Sequence, residues 1–376
     1  MTVKSVKKTL SRRQLLKSIA PLAVSPFLPQ RLINKASGAR STEWPILEGP
    51  ETPKLCLGTS RDADTARMRM IKQLGVDYVL VGGPERPWKE EALSKIINRF
   101  ESNGLKVINM MISGFPNAIY GREGRDEEIE MLQKSLRAAG NVGLPVVEYN
   151  FYAHRLTEGY YEVEGRGGAG YTGYRYESVK DLPPIPENGA HSKEALWENL
   201  TYLLEAIIPV AEKSNVRMAL HPNDPPVPLS RGNEQIMATY DDWKRLIEIV
   251  DSPSNGITYH SGVTTEIDVD AVEVCRYFGE RDRINHVHYR NVVVHEPVVD
   301  YVEVFPDEGE TDMFAVMKEL VKQKYSFGIY PEHPRLLDYD RDHPHTHSQY
   351  PGGGGYAGFT YNVAYARAML QAALGE

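Results

Sequence analysis

Four short apolar runs in the second half of the chain end on side chains that can bind a metal ion. These side chains are His221, His260, His288 and Glu332. Imidazole nitrogens together with one carboxylate suit a divalent ion such as Mn²⁺, Zn²⁺, Fe²⁺ or Co²⁺. A single buried histidine is commonly structural, but metal-binding residues at four successive run ends favour a shared site. The pattern therefore predicts a metalloenzyme.

Strand-like apolar runs alternate with segments whose apolar residues recur three and four positions apart, the spacing of a helix. The runs are Lys54–Ser60, Val76–Gly83, Leu105–Ile112, Pro145–Phe151, Val216–Asp224, Gly256–Gly262, Ile284–Val292 and Phe327–His333. The helical segments are Asp62–Leu74, Lys89–Ser102, Asp126–Ala139, Ser192–Ser214, Asp241–Val250, Val269–Gly279, Asp312–Lys324 and Tyr361–Ala373. This alternation predicts an α/β fold, a single (β/α)8 TIM barrel over residues 40–376, whose strand ends surround one mouth. His286 is expected to point outward, between the barrel and the helices.

The segment 154–190 interrupts this alternation after the fourth strand. It is rich in Gly, Pro and Tyr and contains Gly165-Arg166-Gly167-Gly168. A loop this long in a compact domain is usually functional or disordered. Because active sites of barrels form where strands end, we expect a loop that acts as a lid or as a wall for a sugar ring. A mobile insertion with no role in binding is the alternative.

The first 39 residues differ in composition from the rest of the chain, with eight basic residues and no acid. Ser11-Arg12-Arg13-Gln14-Leu15-Leu16-Lys17 resembles the twin-arginine export signal, and Ala36-Ser37-Gly38-Ala39 offers small residues where a peptidase could cut. We therefore expect residues 1–39 to be a signal peptide and the mature protein to be periplasmic. A basic amphipathic tail on a cytosolic protein is the alternative.

The charge of the chain limits its partners. The formal net charge is −8 and becomes −16 without the eight basic residues of the N-terminal segment. A surface this acidic argues against nucleic acid, and an anionic sugar would need arginines placed locally. No stretch reaches the roughly 18 apolar residues of a membrane span, so we expect none. Cys56 and Cys275 are too few for a disulfide framework; one bridge between them, and assembly into an oligomer, both stay open.

Several segments resemble the D-mannonate dehydratase family, in the order of that family, from about residue 54 to 372. They are Met218–Pro226, Val147–Phe151, Val287–Asn291, Thr311–Lys318 and Pro331–His333. The resemblance implies a metal-dependent barrel, usually with Mn²⁺, that removes water from an aldonate to give a 2-keto-3-deoxy acid. His221 and His288 match the family's metal ligands. His260 stands where the family has cysteine and Glu332 where it has aspartate, and both replacements can still bind a metal.

The resemblance also implies the catalytic residues. His333 matches the catalytic histidine of the family, and Tyr356, in the glycine-rich loop after the eighth strand, most nearly matches its catalytic tyrosine. Arg290 is a candidate clamp for a carboxylate because its guanidinium offers a planar pair of donors; a salt bridge at the rim is the alternative. Asn150 and Asp224 lie at strand ends, where they could bind sugar hydroxyls or support a ligand.

The leading hypothesis is an exported, metal-dependent dehydratase that acts on a sugar acid, with uronic acids or uronate-containing oligosaccharides as candidate substrates. The reaction takes the proton next to a carboxylate and then loses the β-hydroxyl, so it needs a cation to neutralise the enediolate and a placed base. One alternative is a metal-dependent sugar isomerase or epimerase, which would leave the mass of its substrate unchanged. The other is an exported sugar- or metal-binding protein without catalysis.

Overall fold

Eight parallel strands close into a barrel in the computed structural model of the protein, which describes residues 45–376 except 47, 153 and 344–349. The strands of this range are β1 Lys54–Thr59, β2 Tyr78–Gly82, β3 Lys106–Ile112, β4 Val146–Tyr149, β5 Tyr160–Glu164, β6 Gly170–Arg175, β7 Arg217–Leu220, β8 Leu229–Ser230, β9 Asn233–Glu234, β10 Asn255–His260, β11 Ile284–His288, β12 Asn291–Glu296, β13 Asp300–Val304 and β14 Gly328–Tyr330. Around the barrel the order is β1, β2, β3, β4, β7, β10, β11 and β14, and β14 pairs with β1. The predicted signal peptide lies outside the described residues.

Helices connect these strands. They are α1 Thr65–Gln73, α2 Glu90–Glu101, α3 Pro116–Tyr120, α4 Arg125–Asn141, α5 Lys193–Lys213, α6 Tyr240–Ile249, α7 Ser261–Glu266, α8 Ala271–Gly279, α9 Met313–Lys322, α10 Asp338–Asp342 and α11 Tyr356–Gly375. Side chains of Asp64, Ser192 and Asp312 accept backbone N–H groups at the starts of α1, α5 and α9, which explains where these helices begin. None of the helices in the described range is long and apolar enough to cross a bilayer.

The predicted (β/α)8 barrel is confirmed, because every predicted strand run overlaps one strand of the barrel. Parallel strands buried on both faces give continuous apolar runs, and all six residues of β10 are buried. One run was too long: Ile284–Val292 spans the end of β11 and the start of β12. The chain leaves the barrel between these two strands.

The insertion after β4 is confirmed, but its description as a long loop is wrong. Its strands β5 and β6 join β12 and β13 in an antiparallel sheet with the order β12, β13, β6, β5. The central pair aligns Thr172 with Glu303 and Tyr174 with Tyr301, and the two tyrosine rings stack at 5.3 Å. The strands escaped detection because β6 finds its partner β13 far away in the sequence, so local patterns do not reveal the pairing.

Both cysteines are buried and carry free thiols. Cys56 lies on β1 and Cys275 on α8, and no bridge joins them. Burial raises the pKa of both thiols, so they pack as small hydrophobic residues.

Candidate metal centre and catalytic site

The four predicted metal ligands meet at the mouth of the barrel. His221 follows β7, His260 and His288 end β10 and β11, and Glu332 follows β14. Nε2 of His221 lies 3.2 Å from Nδ1 of His288. The Glu332 carboxylate lies 2.9 Å from Nδ1 of His288 and 2.8 Å from Nε2 of His260. All four side chains are buried, so barrel closure brings together residues that are far apart in the sequence.

The donor atoms of this cluster fit a divalent metal ion. The ligand atoms of His221, His260 and His288 lie within 4.8 Å of one another. Oε1 of Glu332 is buried and makes no well-directed hydrogen bond with the described residues, although Nε2 of His260 lies 2.8 Å away; a buried carboxylate oxygen in this state is costly unless a cation satisfies it. Burial lowers the pKa of His221 and lowers that of His260 to about 4, so both rings are neutral, the form that binds metals.

The three histidines differ in how their rings are held. His221 directs Nδ1 at the carbonyl oxygen of Pro222, 2.6 Å away, and this leaves Nε2 free to bind a metal. Nδ1 of His260 instead accepts the N–H of Val263 at the start of α7, 3.2 Å away. The neutral ring of His260 therefore carries its hydrogen on Nε2. Metal binding through that atom requires loss of this proton or a turn of the ring.

Glu148, on β4, supports the cluster from inside the barrel. Its Oε1 lies 3.4 Å from Nε2 of His288, which leaves Nδ1 of this histidine for the metal. Asn109 and Thr258 donate hydrogen bonds to Glu148 at 2.8 and 2.9 Å. A carboxylate behind a ligating histidine orients the ring and raises its basicity.

The prediction that His286 points outward is wrong. Residues two positions apart on a strand face the same side, so His286 shares the inward face of His288. The two ring centroids lie 5.3 Å apart. Burial lowers the pKa of His286 well below its usual value, so the ring is a neutral part of the barrel interior below the cluster.

His333 is placed beside the metal cluster by a residue of the antiparallel sheet. Its Nδ1 lies 3.0 Å from Oε2 of Glu303 on β13, and its Nε2 lies 3.4 Å from Oε2 of Glu332. Burial would raise the pKa of Glu303, but Arg290, His333 and Arg335 outweigh it and lower this pKa to about 2. The ionised carboxylate therefore accepts the Nδ1 proton, and Nε2 of His333 faces the cluster as a base.

Two further features mark His333 and Glu303. The backbone of His333 has a φ of 42°, a left-handed conformation that is strained for a residue with a side chain and is often found at functional sites. Sequence reasoning missed Glu303, although a charged residue between the two valines Val302 and Val304 of β13 is a signal that could have identified it.

Arg290 does not act as the predicted clamp. Its guanidinium is buried and surrounded by protein carboxylates: Glu266 at 2.9 Å, Glu303 at 3.0 Å, Asp224 at 3.2 Å and Glu332 at 3.3 Å. Each nitrogen of the guanidinium thus lies within 3.3 Å of a protein carboxylate, which leaves little room for a substrate carboxylate. Arg290 instead neutralises the carboxylates that lie between the barrel and the sheet.

A cavity of about 350 Å³ opens beside the metal cluster. The barrel contributes Glu332 and His333, the sheet contributes Thr172 and Glu303, and the chain before α11 contributes Tyr350. This volume lies at the lower end of the range for small-molecule sites, about 300–1,000 Å³. The cavity therefore suits a single sugar unit.

The two predicted hydroxyl-binding residues lie outside the lining of this cavity. The carboxylate of Asp224 accepts a hydrogen bond from the hydroxyl of Tyr160 at 2.9 Å and forms an ion pair with Arg155 at 3.1 Å. Burial would raise its pKa, but Arg290 and Arg155 hold it well below the usual value. The amide of Asn150 points to the sulfur of a neighbouring methionine at 3.9 Å. Both side chains are thus engaged with the protein.

The tyrosine beside His333 is Tyr350, and Tyr356 lies elsewhere. Tyr356 begins α11, and its hydroxyl donates to the carbonyl of Met70 on α1 at 3.4 Å. The ring of Tyr350 lies 5.7 Å from that of His333, and its hydroxyl accepts a hydrogen bond from Arg155 at 2.6 Å. Burial raises the pKa of Tyr350, so the phenol stays protonated. Both tyrosines flank a glycine-rich stretch whose spacing does not reveal which one reaches the site.

Comparison with known proteins identifies the relatives of this chain. The family model for D-mannonate dehydratase (UxuA) matches residues 170–374. The mannonate dehydratase of Thermotoga maritima is 30% identical over 313 residues, which cover 73% of this chain and 87% of that protein. A mannonate dehydratase of Streptococcus equi subsp. zooepidemicus is 28% identical over 317 residues and covers 76% of this chain and 85% of its own.

Solved structures agree with these sequence matches. The crystal structure of mannonate dehydratase from Streptococcus suis serotype 2 has a TM-score of 0.77 at 26% identity, over 85% of this chain and 95% of that chain. The 3-keto-D-glucoside 4-epimerase YcjR from E. coli has a TM-score of 0.54 at 14% identity, over 84% of this chain and 100% of that chain. The second likeness shows a shared fold alone.

Proposed function

The chain belongs to the D-mannonate dehydratase family, and we propose that it is a metal-dependent hydro-lyase that removes one water from an aldonate of a single sugar unit. The observation that carries the proposal is the position of His333. This histidine is held by Glu303 and faces Glu332 of the metal cluster, as a base for a metal-bound sugar acid must.

His221, His260, His288 and Glu332 would hold the metal ion. When bound, such an ion supplies the positive charge that stabilises an enediolate. The family resemblance supports Mn²⁺ as the ion, and Zn²⁺, Fe²⁺ and Co²⁺ suit the same nitrogen and oxygen donors.

The protein's own groups move the two protons of the reaction. Nε2 of His333 accepts the proton next to the carboxylate, and the carboxylate of Glu303 stabilises the imidazolium that results. The hydroxyl of Tyr350 donates a proton to the β-hydroxyl, which leaves as water, and the cation of Arg155 stabilises the phenolate. The enol product then becomes the 2-keto acid.

The cavity supports a small substrate. A volume of about 350 Å³ favours a single aldonate or uronate over a uronate-containing oligosaccharide. The sheet that forms one wall contributes Thr172 and Glu303, so the insertion helps to shape the site.

We also propose that the protein is exported to the periplasm by its twin-arginine segment. The proposal rests on the order of paired arginines, apolar residues and small residues within residues 1–39. Changing Arg12 and Arg13 together to Lys should leave a tagged protein in the cytoplasm. Equal periplasmic amounts for this variant and the wild type would contradict the proposal.

The function is tested by incubating metal-loaded protein with a panel of aldonates and uronates, followed by mass spectrometry of the products. The proposal expects a product lighter by one water that carries a 2-keto-3-deoxy group. A product of unchanged mass would instead indicate an isomerase or epimerase. Binding without any product would indicate a binding protein. His333→Ala should retain the metal and lose turnover.

A further inference from the structure

One arginine of the cavity has no partner in the part of the chain that the structure describes. Arg67, in the first turn of α1, lines the same cavity as Glu332 and His333 and is half-buried. Its guanidinium makes no hydrogen bond and no ion pair with the described residues. Arg335, which also lines the cavity, is instead bound to Glu303 at 2.8 Å. Arg67 is therefore a cation that is available to a ligand.

The ring of Tyr330 lines the same cavity as Arg67 and lies beside the metal cluster. The centroid of this ring lies 5.3 Å from that of the His288 ring. The hydroxyl of Tyr330 reaches β1, where a Cβ atom on Gly58 would lie only 2.8 Å from it. Phe359 stacks on Tyr330 at 6.3 Å, so an aromatic wall leads from His288 towards β1 and α1.

The reacting carboxylate of the substrate has to lie at the opposite end of this wall. His333 removes the proton next to that carboxylate, and His333 and Glu332 are at the metal cluster. A sugar acid that lies along Tyr330 would therefore point its other end at Arg67. Arginine binds carboxylates with two parallel N–H groups. Such a pair contributes more binding free energy in a partly enclosed site than at an open surface.

We propose that Arg67 binds a second carboxylate of the substrate, so that the preferred sugar acid is ionised at both ends, as an aldarate is. This inference rests on the proposed function, because that function sets the orientation of the substrate. The overall charge of −8 repels anions, and a local unpaired arginine is what a doubly charged substrate needs at the far end of its site.

The test compares two matched ligands, D-mannonate and D-mannarate, which differ only in a terminal hydroxymethyl group and a terminal carboxylate. Arg67→Gln is compared with Arg69→Gln, an exposed position on the same helix that does not line the cavity. Arg67→Lys keeps the charge but loses the paired donors. Dissociation constants are measured by calorimetry on metal-loaded protein, product formation by mass spectrometry, and folding by circular dichroism.

Wild type and Arg69→Gln should bind D-mannarate more tightly than D-mannonate. Arg67→Gln should raise the dissociation constant of D-mannarate roughly tenfold to a hundredfold and change that of D-mannonate little. Arg67→Lys should give an intermediate effect on D-mannarate. An equal loss for both ligands would mean that Arg67 binds the reacting carboxylate, and no loss for either would mean that it binds neither; both results overturn the inference. If Arg67 controls D-mannarate binding but neither ligand is dehydrated, the inference stands and the proposed function fails.

Discussion

The metal cluster and the antiparallel sheet line the same cavity, but they are built in different ways. The cluster comes from the ends of parallel barrel strands, where the topology alone places side chains around one mouth. The sheet contributes Thr172 and Glu303, which reach the cavity only because β6 and β13 pair with each other. The barrel thus supplies the atoms that could bind a metal, and the sheet supplies the carboxylate that holds His333, the proposed base.

Arg290 joins the two regions. It contacts Glu332 and Asp224 on the barrel side and Glu303 on the sheet side. A change in the sheet can therefore alter the base without removing the metal, whereas a change at Arg290 affects both regions. The following substitutions test this division, from the largest expected effect to the smallest.

Removing a ligand on the barrel side should reduce both metal binding and turnover, most strongly at His221. We expect His221→Ala to lose its metal on dialysis, because its free Nε2 is a ready ligand. His260→Ala should retain more metal, since that ring carries a proton on Nε2. Metal content is measured by mass spectrometry and activity by product mass. His191→Ala serves as control, because its ring stacks on Tyr120 and it belongs to none of the candidate metal clusters of the described residues. Full metal content in His221→Ala would rule out the proposed ligand set.

Removing Arg290 should mainly destabilise the fold. Arg290→Met leaves several buried carboxylates without their cation, and breaking a buried ion pair typically costs about 3–5 kcal/mol of unfolding free energy. Arg217→Met removes a more exposed pair with Asp282 and should cost about 1 kcal/mol or less. Chemical denaturation measures the unfolding free energy of both variants. Normal stability combined with a raised KM would restore the role of Arg290 as a substrate clamp.

Changing the sheet carboxylate should reduce turnover without removing the metal. Glu303→Gln loses the charge that orients His333 and stabilises its imidazolium, so we expect kcat to fall on the order of 10²-fold. Glu164→Gln changes an exposed acid on β5 of the same sheet and should behave as wild type. Steady-state kinetics and metal analysis are made on the same samples. If Glu303→Gln also lost its metal, the two regions would not have separate roles.

The two tyrosines should differ in a matched substitution. Tyr350→Phe removes the hydroxyl beside His333 and should lower kcat by roughly tenfold to a hundredfold. Tyr356→Phe removes a hydroxyl that bonds to Met70 and should change kcat by less than about twofold. A larger fall in kcat for Tyr356→Phe than for Tyr350→Phe would show that the residues before α11 rearrange when substrate binds and bring Tyr356 into the site.

Local patterns in the sequence were sufficient to predict the barrel and the four candidate metal ligands that meet at its mouth. Apolar periodicity depends on neighbouring residues, and the ends of parallel strands meet at one mouth whatever their side chains are. The prediction of His333 followed from its position next to Glu332 and from the family resemblance. The error at His286 came from misjudging the face of a strand, a feature that the sequence does contain.

Other parts of the site depended on contacts that no local pattern encodes. Glu303 reaches His333 through strand pairing between distant segments, and Arg290 is engaged because four buried carboxylates converge on it. Whether Tyr350 or Tyr356 enters the cavity depends on the path of the chain before α11. The sequence alone determined which residues can bind the metal, because barrel topology leaves little freedom there. Only the tertiary structure decided which acid, arginine and tyrosine lie beside them, because buried charges are arranged by long-range packing.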